Sequence, residues 1–99
     1  MKVVITASAE ADLNEIGDFI RKDNPLRAVS FVDELLNRCE ELGSMAAAFP
    51  LVPRYEHVGI RRRPYRGYLI FYRISGELVE IIHVLNGVRD YERLLFPGE

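Results

Sequence analysis

The stretch YRGYLIFYRISGELVEIIHVLNGVRDYERLL, residues 65–95, decides the fold of this 99-residue chain. It contains two apolar runs, at 69–74 and 78–85, which are rich in β-branched and aromatic residues and are separated by Ser75-Gly76. Because glycine supplies the positive φ of a tight turn, the pattern predicts a β-hairpin followed by a short charged helix. Both faces of each run are largely apolar, so the hairpin should be central in its sheet and covered on both sides.

Two amphipathic helices are predicted before this hairpin. The first is expected to run from Ser8, a suitable N-cap, to about Asp23. The second should begin at Asn24-Pro25, which suit the N-cap and the first helical position, and end near Gly43. Helices joined this closely form an antiparallel hairpin. Their apolar stripes recur at helical spacing and comprise Ala9, Leu13, Ile16, Ile20, Ala28, Val32, Leu35, Cys39 and Leu42, with Phe31 and Leu36 widening the second.

The remaining segments complete the order β-α-α-β-β-β with a short C-terminal helix. KVVIT at 2–6 predicts a first strand, and the alternation at 57–63 predicts another, which Pro64 should interrupt. The prolines of 44–55 indicate an irregular connection. We therefore expect one α+β domain over residues 1–99, an antiparallel sheet with the helical hairpin packed on one face.

The charge is strongly segregated, although the formal net charge is only -2. Residues 1–50 carry five basic and nine acidic side chains, net -4, and residues 77–99 carry net -3. Residues 51–76 carry six arginines and one acid, net +5. Arginine forms bidentate contacts with phosphate and carboxylate. The segment is therefore either a functional basic surface or a charged edge strand that prevents sheet-to-sheet association.

No metal site, cofactor or nucleophilic catalytic residue is predicted. His57 and His83 lie 26 residues apart without a Cys or paired carboxylates at ligand spacing. The scattered glycines do not form a phosphate-binding loop. Cys39 belongs to a helical apolar stripe, which is typical of a core residue. Since there is neither a signal-type apolar stretch nor an apolar run near the ~18 residues of a membrane span, a cytoplasmic location is expected.

One cluster of basic and proton-transferring side chains remains a candidate for chemistry. Arginines stabilise phosphoryl charge and His or Tyr moves protons, so such a set could cleave RNA through its own 2′-OH. With a turn at Ser75-Gly76, His83 should lie opposite Tyr68, on the face away from Arg73, which favours a structural His83. The cluster consists of Arg61, Arg63, Arg66, Arg73, His83, Arg89 and Tyr91.

The order of elements and several strings resemble the ParE/RelE superfamily of toxins from bacterial type II toxin-antitoxin modules. The resemblance covers nearly the whole chain. It lies in the order and spacing of these elements and strings and not in one motif. The strings are SAEADLNEIGDFI at 8–20, FVDELLNRCEEL at 31–42, GYLIFYRISGELVEIIHVL at 67–85 and GVRDYERLL at 87–95.

This resemblance implies a cytoplasmic bacterial toxin that a cognate ParD-like antitoxin holds inactive in a hetero-oligomer. The antitoxin's extended C-terminal segment is expected to wrap the helical hairpin and the sheet, and to be acidic and apolar. No membrane contact is expected, and nucleic acid would be met only through a gyrase-DNA or antitoxin-operator complex. The antitoxin contacts expected on this basis are Leu13, Ile16, Ile20, Phe31, Leu35, Arg61, Leu69, Phe71 and Arg73.

The two branches of the superfamily differ in their targets. RelE-like toxins cleave mRNA on the ribosome with basic residues on the open sheet face, one of them an Arg after the Gly-Tyr that begins the third strand. Here Leu69 follows Gly67-Tyr68, and the missing cation would remove ~3 kcal/mol of transition-state stabilisation. ParE-like toxins instead bind DNA gyrase. The ending at 84–95 resembles their VLHGARD-type close, with Asn86 where His is common.

Three functions therefore stay open: a toxin that binds gyrase, which the residues favour, a RelE-like ribosome-dependent mRNA interferase, and a toxin that has lost activity. For the gyrase binder, His83→Gln should leave toxicity nearly intact. Removing the chain from Arg89 onward should abolish toxicity without unfolding the domain, and an apolar groove should stay open for a partner. The expected target contacts are Arg63, Arg73, Arg89, Tyr91 and Arg93.

Overall fold

A computed structural model describes residues 1–98, which form a four-stranded sheet with two long helices. In chain order the elements are β1 (Lys2–Ile5), α1 (Ala7–Arg21), α2 (Pro25–Glu41), a 3-10 helix (Glu56–Val58), β2 (Ile60–Tyr65), β3 (Tyr68–Ser75), β4 (Leu78–Asn86) and α3 (Tyr91–Leu95). The spatial order of the strands is β1-β4-β3-β2, so β3 and β4 are the two central strands. The expected order of elements and the α+β class are confirmed.

The sheet is mixed rather than purely antiparallel. β1 runs parallel to β4, whereas the β2-β3 and β3-β4 pairs are antiparallel. A parallel pair cannot be joined by a tight turn, and the helical hairpin lies within the long connection between β1 and β4. The prediction of one antiparallel sheet is therefore wrong at β1.

The turn between β3 and β4 lies one residue later than the sequence predicted. Ser75 pairs with Leu78, so Gly76 and Glu77 are the two turn residues. Gly76 has φ +61°, a left-handed conformation that glycine adopts without steric cost. The predicted two-residue hairpin exists, with Ser75 as the last residue of its strand instead of the first of its turn.

The pairing of β3 with β4 also shifts between Phe71 and Tyr72. This irregularity adds one residue to β4, so His83 stands opposite Phe71, and Tyr68 pairs with Asn86. The predicted pairing of His83 with Tyr68 is therefore wrong. The sequence shows no signal for such a shift, because both strands are apolar on both sides of it.

The first helix begins earlier than predicted because Thr6, rather than Ser8, is its N-cap. Thr6 Oγ1 accepts a hydrogen bond from the backbone N–H three residues on at 3.3 Å and donates to the carbonyl of Ile81 at 2.7 Å. One hydroxyl therefore caps α1 and fixes it to β4. The second helix has the predicted N-cap, Asn24, whose Oδ1 accepts from Arg27 N at 3.0 Å.

The edge strand β2 continues through Pro64, so the expected interruption is wrong. Pro64 pairs with Leu69 in register with the rest of β2. An edge strand tolerates proline, because the missing N–H can fall on the side without a partner strand. The strand also starts later than predicted, at Ile60 instead of His57, which belongs to the 3-10 helix.

Both faces of the sheet are covered by the chain itself. On one face, the helical hairpin packs on Ile70, Tyr72, Val79, Ile81 and Val84. On the other, a second core forms where the connection before β2 and the C-terminal segment meet the sheet. The predicted covering of both faces is confirmed, but the expected open groove over the second face is wrong. The buried members of the second core are Val52, Ile60, Phe71, Leu85 and Phe96.

The C-terminal segment is part of this second core. Phe96 is buried and its ring stacks on Tyr55, with centroids 4.0 Å apart and planes 2° from parallel. Tyr91 packs on Phe71 with ring centroids 4.9 Å apart. Truncation from Arg89 would remove these aromatic rings and expose the buried face. This packing argues against the expectation that the truncated domain stays folded.

We expect Phe96→Ala to lower the free energy of unfolding by about 3 kcal/mol, because truncating a buried aromatic ring leaves a cavity. Pro97→Ala, at an exposed neighbour, is the control and should change it by less than about 0.5 kcal/mol. Urea denaturation followed by circular dichroism measures both. A loss below about 1 kcal/mol for Phe96→Ala would show that the second core contributes little.

Candidate functional site

Three consecutive arginines on β2 fasten neighbouring segments to the sheet edge. Arg61 Nη1 donates to a backbone carbonyl of the preceding connection at 2.7 Å, and Arg63 Nη1 donates to the carbonyl of Arg38 on α2 at 2.9 Å. Arg62 Nη1 donates to Tyr91 Oη of α3 at 2.5 Å. These guanidinium groups therefore hold both layers of the protein against β2 rather than standing free.

Two of the predicted target contacts, Arg63 and Arg73, are ion-paired within the chain. Arg63 is only 14% exposed and its Nη2 lies 2.9 Å from a carboxylate oxygen of Glu41. Arg73 Nε lies 2.8 Å from Glu80 Oε1 on the adjacent strand, with 54% of its side chain exposed. Only Arg73 of this pair presents a substantial surface to a partner.

The loop at 87–90, here called the C-terminal loop, projects between β4 and α3. Asn86 Oδ1 anchors it by accepting from Val88 N at 3.0 Å. The side chain of Val88 is 93% exposed, Arg89 is exposed, and Arg93 just beyond is 90% exposed. Sequence reasoning missed Val88, although an apolar residue between Gly87 and Arg89 was the signal. Tyr91, another predicted target contact, is half-buried beneath this loop.

A cleft of about 400 Å³ separates α1 from the end of β4. Its α1 side carries the carboxylates of Asp12, Glu15 and Asp18 and the exposed ring of Phe19. Arg89 of the C-terminal loop lines the same cleft. Arg89 therefore connects the cleft to the C-terminal loop, and each of the two carries an exposed apolar residue, Phe19 in the cleft and Val88 in the loop.

His83 is held within the fold beside this cleft. Its Nδ1 lies 2.7 Å from Asp12 Oδ2, and the same oxygen accepts a hydrogen bond from Val84 N at 2.9 Å. β1 pairs with β4 only as far as Ile81, so Asp12 takes over as the acceptor along the following part of that edge. These contacts agree with the structural role predicted for His83.

A second polar group, here called the Glu34 cluster, consists of Arg27, Glu34, Tyr65 and Arg66. Tyr65 Oη donates to Glu34 Oε1 at 2.5 Å, the Arg27 guanidinium is ion-paired with the same carboxylate, and Arg66 Nε lies 3.7 Å from Oε1. Hydrogen bonds from Arg27, and then from Tyr65, lower the pKa of Glu34 to about 2. Sequence reasoning grouped Arg66 with the sheet arginines and missed its α2 partners.

Other chemistry has little support among residues 1–98. Cys39 is fully buried, and burial raises the pKa of its thiol to about 12, so the nucleophilic thiolate is scarcely populated at neutral pH. Within that range, no group of three or more His, Cys, Asp and Glu side chains could hold a metal ion. None of the helices described is both long and apolar enough to cross a bilayer.

Comparison with known proteins identifies the family. A family model described as the ParE toxin of the type II toxin-antitoxin system, parDE, matches residues 3–91. The chain belongs to the ParE toxin family. A solved structure described as the chromosomal ParDE TA system from P. aeruginosa shares the fold, with a TM-score of 0.76 and 22% identity over 87% of this chain and 95% of that chain. A search among curated protein sequences finds no match.

In this ParE-family toxin, most of the apolar residues predicted to meet an antitoxin lie in the chain's own core. Ile20 and Leu69 are half-buried and keep some accessible surface. An apolar stripe at helical spacing marks the face of a helix that packs on the core. The contacts predicted from this stripe are therefore the side chains that pack on the sheet. The core residues, each no more than 7% exposed, are Leu13, Ile16, Phe31, Leu35 and Phe71. The hairpin's exposed large apolar residues are instead Phe19, Leu26 and Val29.

The Glu34 cluster predicts a pH dependence of stability. An acid whose folded-state pKa lies below its unfolded value stabilises the fold above the unfolded pKa, and this contribution is lost as pH falls through the folded pKa. We therefore expect Glu34→Gln to be less stable than the parent chain at pH 7, with a difference that shrinks between about pH 5 and about pH 2. Urea midpoints across this range measure the difference.

The control for this prediction is Asp33→Asn, which removes the same charge from an exposed neighbour on α2. A stability difference between Glu34→Gln and the parent chain that stays constant from pH 7 to about pH 2 would contradict the linkage. Such a constant difference would mean that Glu34 does not keep its contacts with Arg27 and Tyr65 in solution.

Proposed function

We propose that this toxin acts by binding DNA gyrase, without cleaving RNA, and that a cognate antitoxin neutralises it. Membership in the ParE toxin family supports the toxin role. The observation that carries the choice of mechanism is the covering of the second sheet face by the C-terminal segment. A toxin without an open catalytic surface has to act through the surface of its folded domain.

The ribonuclease alternative needs cations and a proton donor on an open sheet face. On that face Leu69 follows the Gly-Tyr pair and packs against the second core. Arg62 is engaged by Tyr91, and Arg73 is engaged by Glu80. A substrate phosphate would have to displace Tyr91 of α3 to reach Arg62 and would have to compete with Glu80 for Arg73, which disfavours RNA cleavage by this chain.

The C-terminal loop is the surface that we propose for the gyrase contact. Val88 offers an apolar side chain, and Arg89 and Arg93 offer two exposed guanidinium groups beside it. Arginine is enriched at interface hot spots, and apolar anchors contribute most when a partner buries them. Of the predicted target contacts, Arg89 and Arg93 belong to this surface, whereas Arg63 and Tyr91 act within the fold. Arg73 lies towards the opposite end of the β3-β4 hairpin and remains only a proposed antitoxin contact.

The antitoxin is proposed to bind the helical hairpin and the adjoining sheet edge in a cytoplasmic hetero-oligomer. The solved ParDE structure is described as a toxin-antitoxin system, and its shared fold supports this partner. Ile20, Leu69 and Arg73 keep accessible surface and remain proposed contacts, as does Arg61 at the edge strand. The exposed Leu26 and Val29 add apolar surface on the hairpin, which a partner segment can bury.

The decisive experiment compares two activities of the purified toxin. We expect inhibition of gyrase supercoiling with accumulation of cleaved DNA, and no cleavage of mRNA on programmed ribosomes. The variant His83→Gln should behave like the parent chain, because binding does not require proton transfer from His83. Cleavage of mRNA that His83→Gln abolishes, with gyrase unaffected, would replace the proposal with the interferase alternative.

The gyrase contact is tested by Val88→Ser, which we expect to weaken gyrase inhibition at least tenfold, about 1.4 kcal/mol of binding free energy. Ile74→Ser is the matched control, since Ile74 is a partly exposed apolar residue at the opposite end of the β3-β4 hairpin. Both variants should keep the parent far-ultraviolet dichroism. Equal inhibition by Val88→Ser and Ile74→Ser would remove the C-terminal loop from the interface.

A further inference from the structure

The Glu34 cluster has the geometry of an anion site that the chain fills with its own carboxylate. Two Arg27 nitrogens face the two Glu34 oxygens, with Nη2 3.4 Å from Oε1 and Nη1 bonded to Oε2. Tyr65 Oη donates at 2.5 Å, and Arg66 Nε adds a second cation 3.7 Å away. A planar carboxylate is the ligand that such paired donors fit.

This site is accessible from solvent. The side chains of Arg27, Glu34 and Arg66 are 39, 30 and 65% exposed. Ion pairs at such exposure contribute little net free energy, because water and salt compete with the partners. An external carboxylate can therefore exchange with Glu34, which then rotates into water, but it has to compete with the hydrogen bonds that Arg27 and Tyr65 donate to Glu34.

The backbone of Arg66 gives an independent reason to assign a role to its guanidinium. Arg66 has φ +46° in the turn between β2 and β3, and Gly67 follows with φ +85°. A side chain other than Gly, Asn or Asp in this region costs ~1 kcal/mol, and Asn or Gly would form the same turn more readily. What arginine adds is a cation 5.6 Å from the Tyr65 ring centre and directed at Glu34.

The surroundings indicate which kind of partner fits. Leu26, next to Arg27 at the start of α2, is exposed, whereas Val29 lies on the other side of α2, beside α1. An acidic residue with an apolar neighbour matches this combination of cations and the exposed Leu26 side chain. Nucleic acid would match the cations but not the exposed aliphatic side chain.

We propose that Arg27, Tyr65 and Arg66 bind an acidic side chain of the antitoxin, and that Glu34 occupies this site until the antitoxin displaces it. The inference rests on the proposed neutralisation by an antitoxin and names the chemistry of that contact. The internal carboxylate offsets one of the two positive charges in the free toxin. It also weakens unspecific capture of other acidic proteins, because any ligand has to replace Glu34.

The test measures binding of a fluorescein-labelled hexaglutamate peptide to the folded full-length chain by anisotropy. Glu34→Gln should bind this probe at least tenfold more tightly than the parent chain, since the internal competitor is gone. Asp33→Asn loses the same charge next to it on α2 and should change the affinity less than twofold. Adding Arg66→Asn, which suits the turn, to Glu34→Gln should abolish the gain.

Three results would overturn the inference. Equal affinities of Glu34→Gln and Asp33→Asn would reveal a general charge effect. A gain for single-stranded oligouridylate without a gain for the peptide would make the ligand a nucleic acid. In the parent chain, adding the peptide should shift the NMR signal of the Arg66 Nε–H group more than that of the exposed Arg93. A larger shift for Arg93 than for Arg66 would also contradict the inference. Gyrase is absent from these measurements, so the gyrase proposal can fail independently.

Discussion

The central β3-β4 hairpin needs an apolar cover on both of its faces, and the rest of the structure supplies the two covers. Ile70 and Tyr72 point to the helical hairpin, whereas Phe71 and Leu85 point to the second core. A helical hairpin can cover one face of a sheet only. The C-terminal segment therefore has to return across the other face, where Phe96 completes the cover. This requirement explains why a charged tail carries two aromatic residues, Tyr91 and Phe96.

The arginines of β2 attach the two covers to the sheet. One cover lies on each face, and side chains of the edge strand β2 can reach both of them. Arg61 and Arg63 extend to the side of α2, while Arg62 extends to α3. Successive residues of a strand face opposite ways, so consecutive arginines serve both layers. Neither interpretation left open by the sequence describes these three residues, because they hold the chain's own layers together instead of forming a free basic surface or a solvated charged edge.

The sequence predicted the elements well because hydrophobic periodicity reports local geometry. It predicted the pairing less well, since the shift at Phe71 and the parallel β1 depend on how distant segments meet. The predicted antitoxin contacts show the same limit. Hydrophobic periodicity selected Leu35 because its side chain faces the core. A partner contacts the side chains that face solvent, and no repeating pattern marks the exposed Leu26 or Val88. The Glu34 cluster joins α2 to a turn 31 residues later in the chain, so spacing alone could not reveal it.

The C-terminal segment couples stability to the proposed function. Its buried side, formed by Tyr91 and Phe96, closes the second core, and its exposed side presents Val88 and Arg93. A truncation removes both at once, so loss of killing by a shortened chain would not distinguish a missing contact from a collapsed fold. Single substitutions separate the two, because the inward and outward side chains belong to different residues. The surface through which such a toxin acts is therefore constrained by the core beneath it, and its target contacts can change only at positions that the second core leaves exposed.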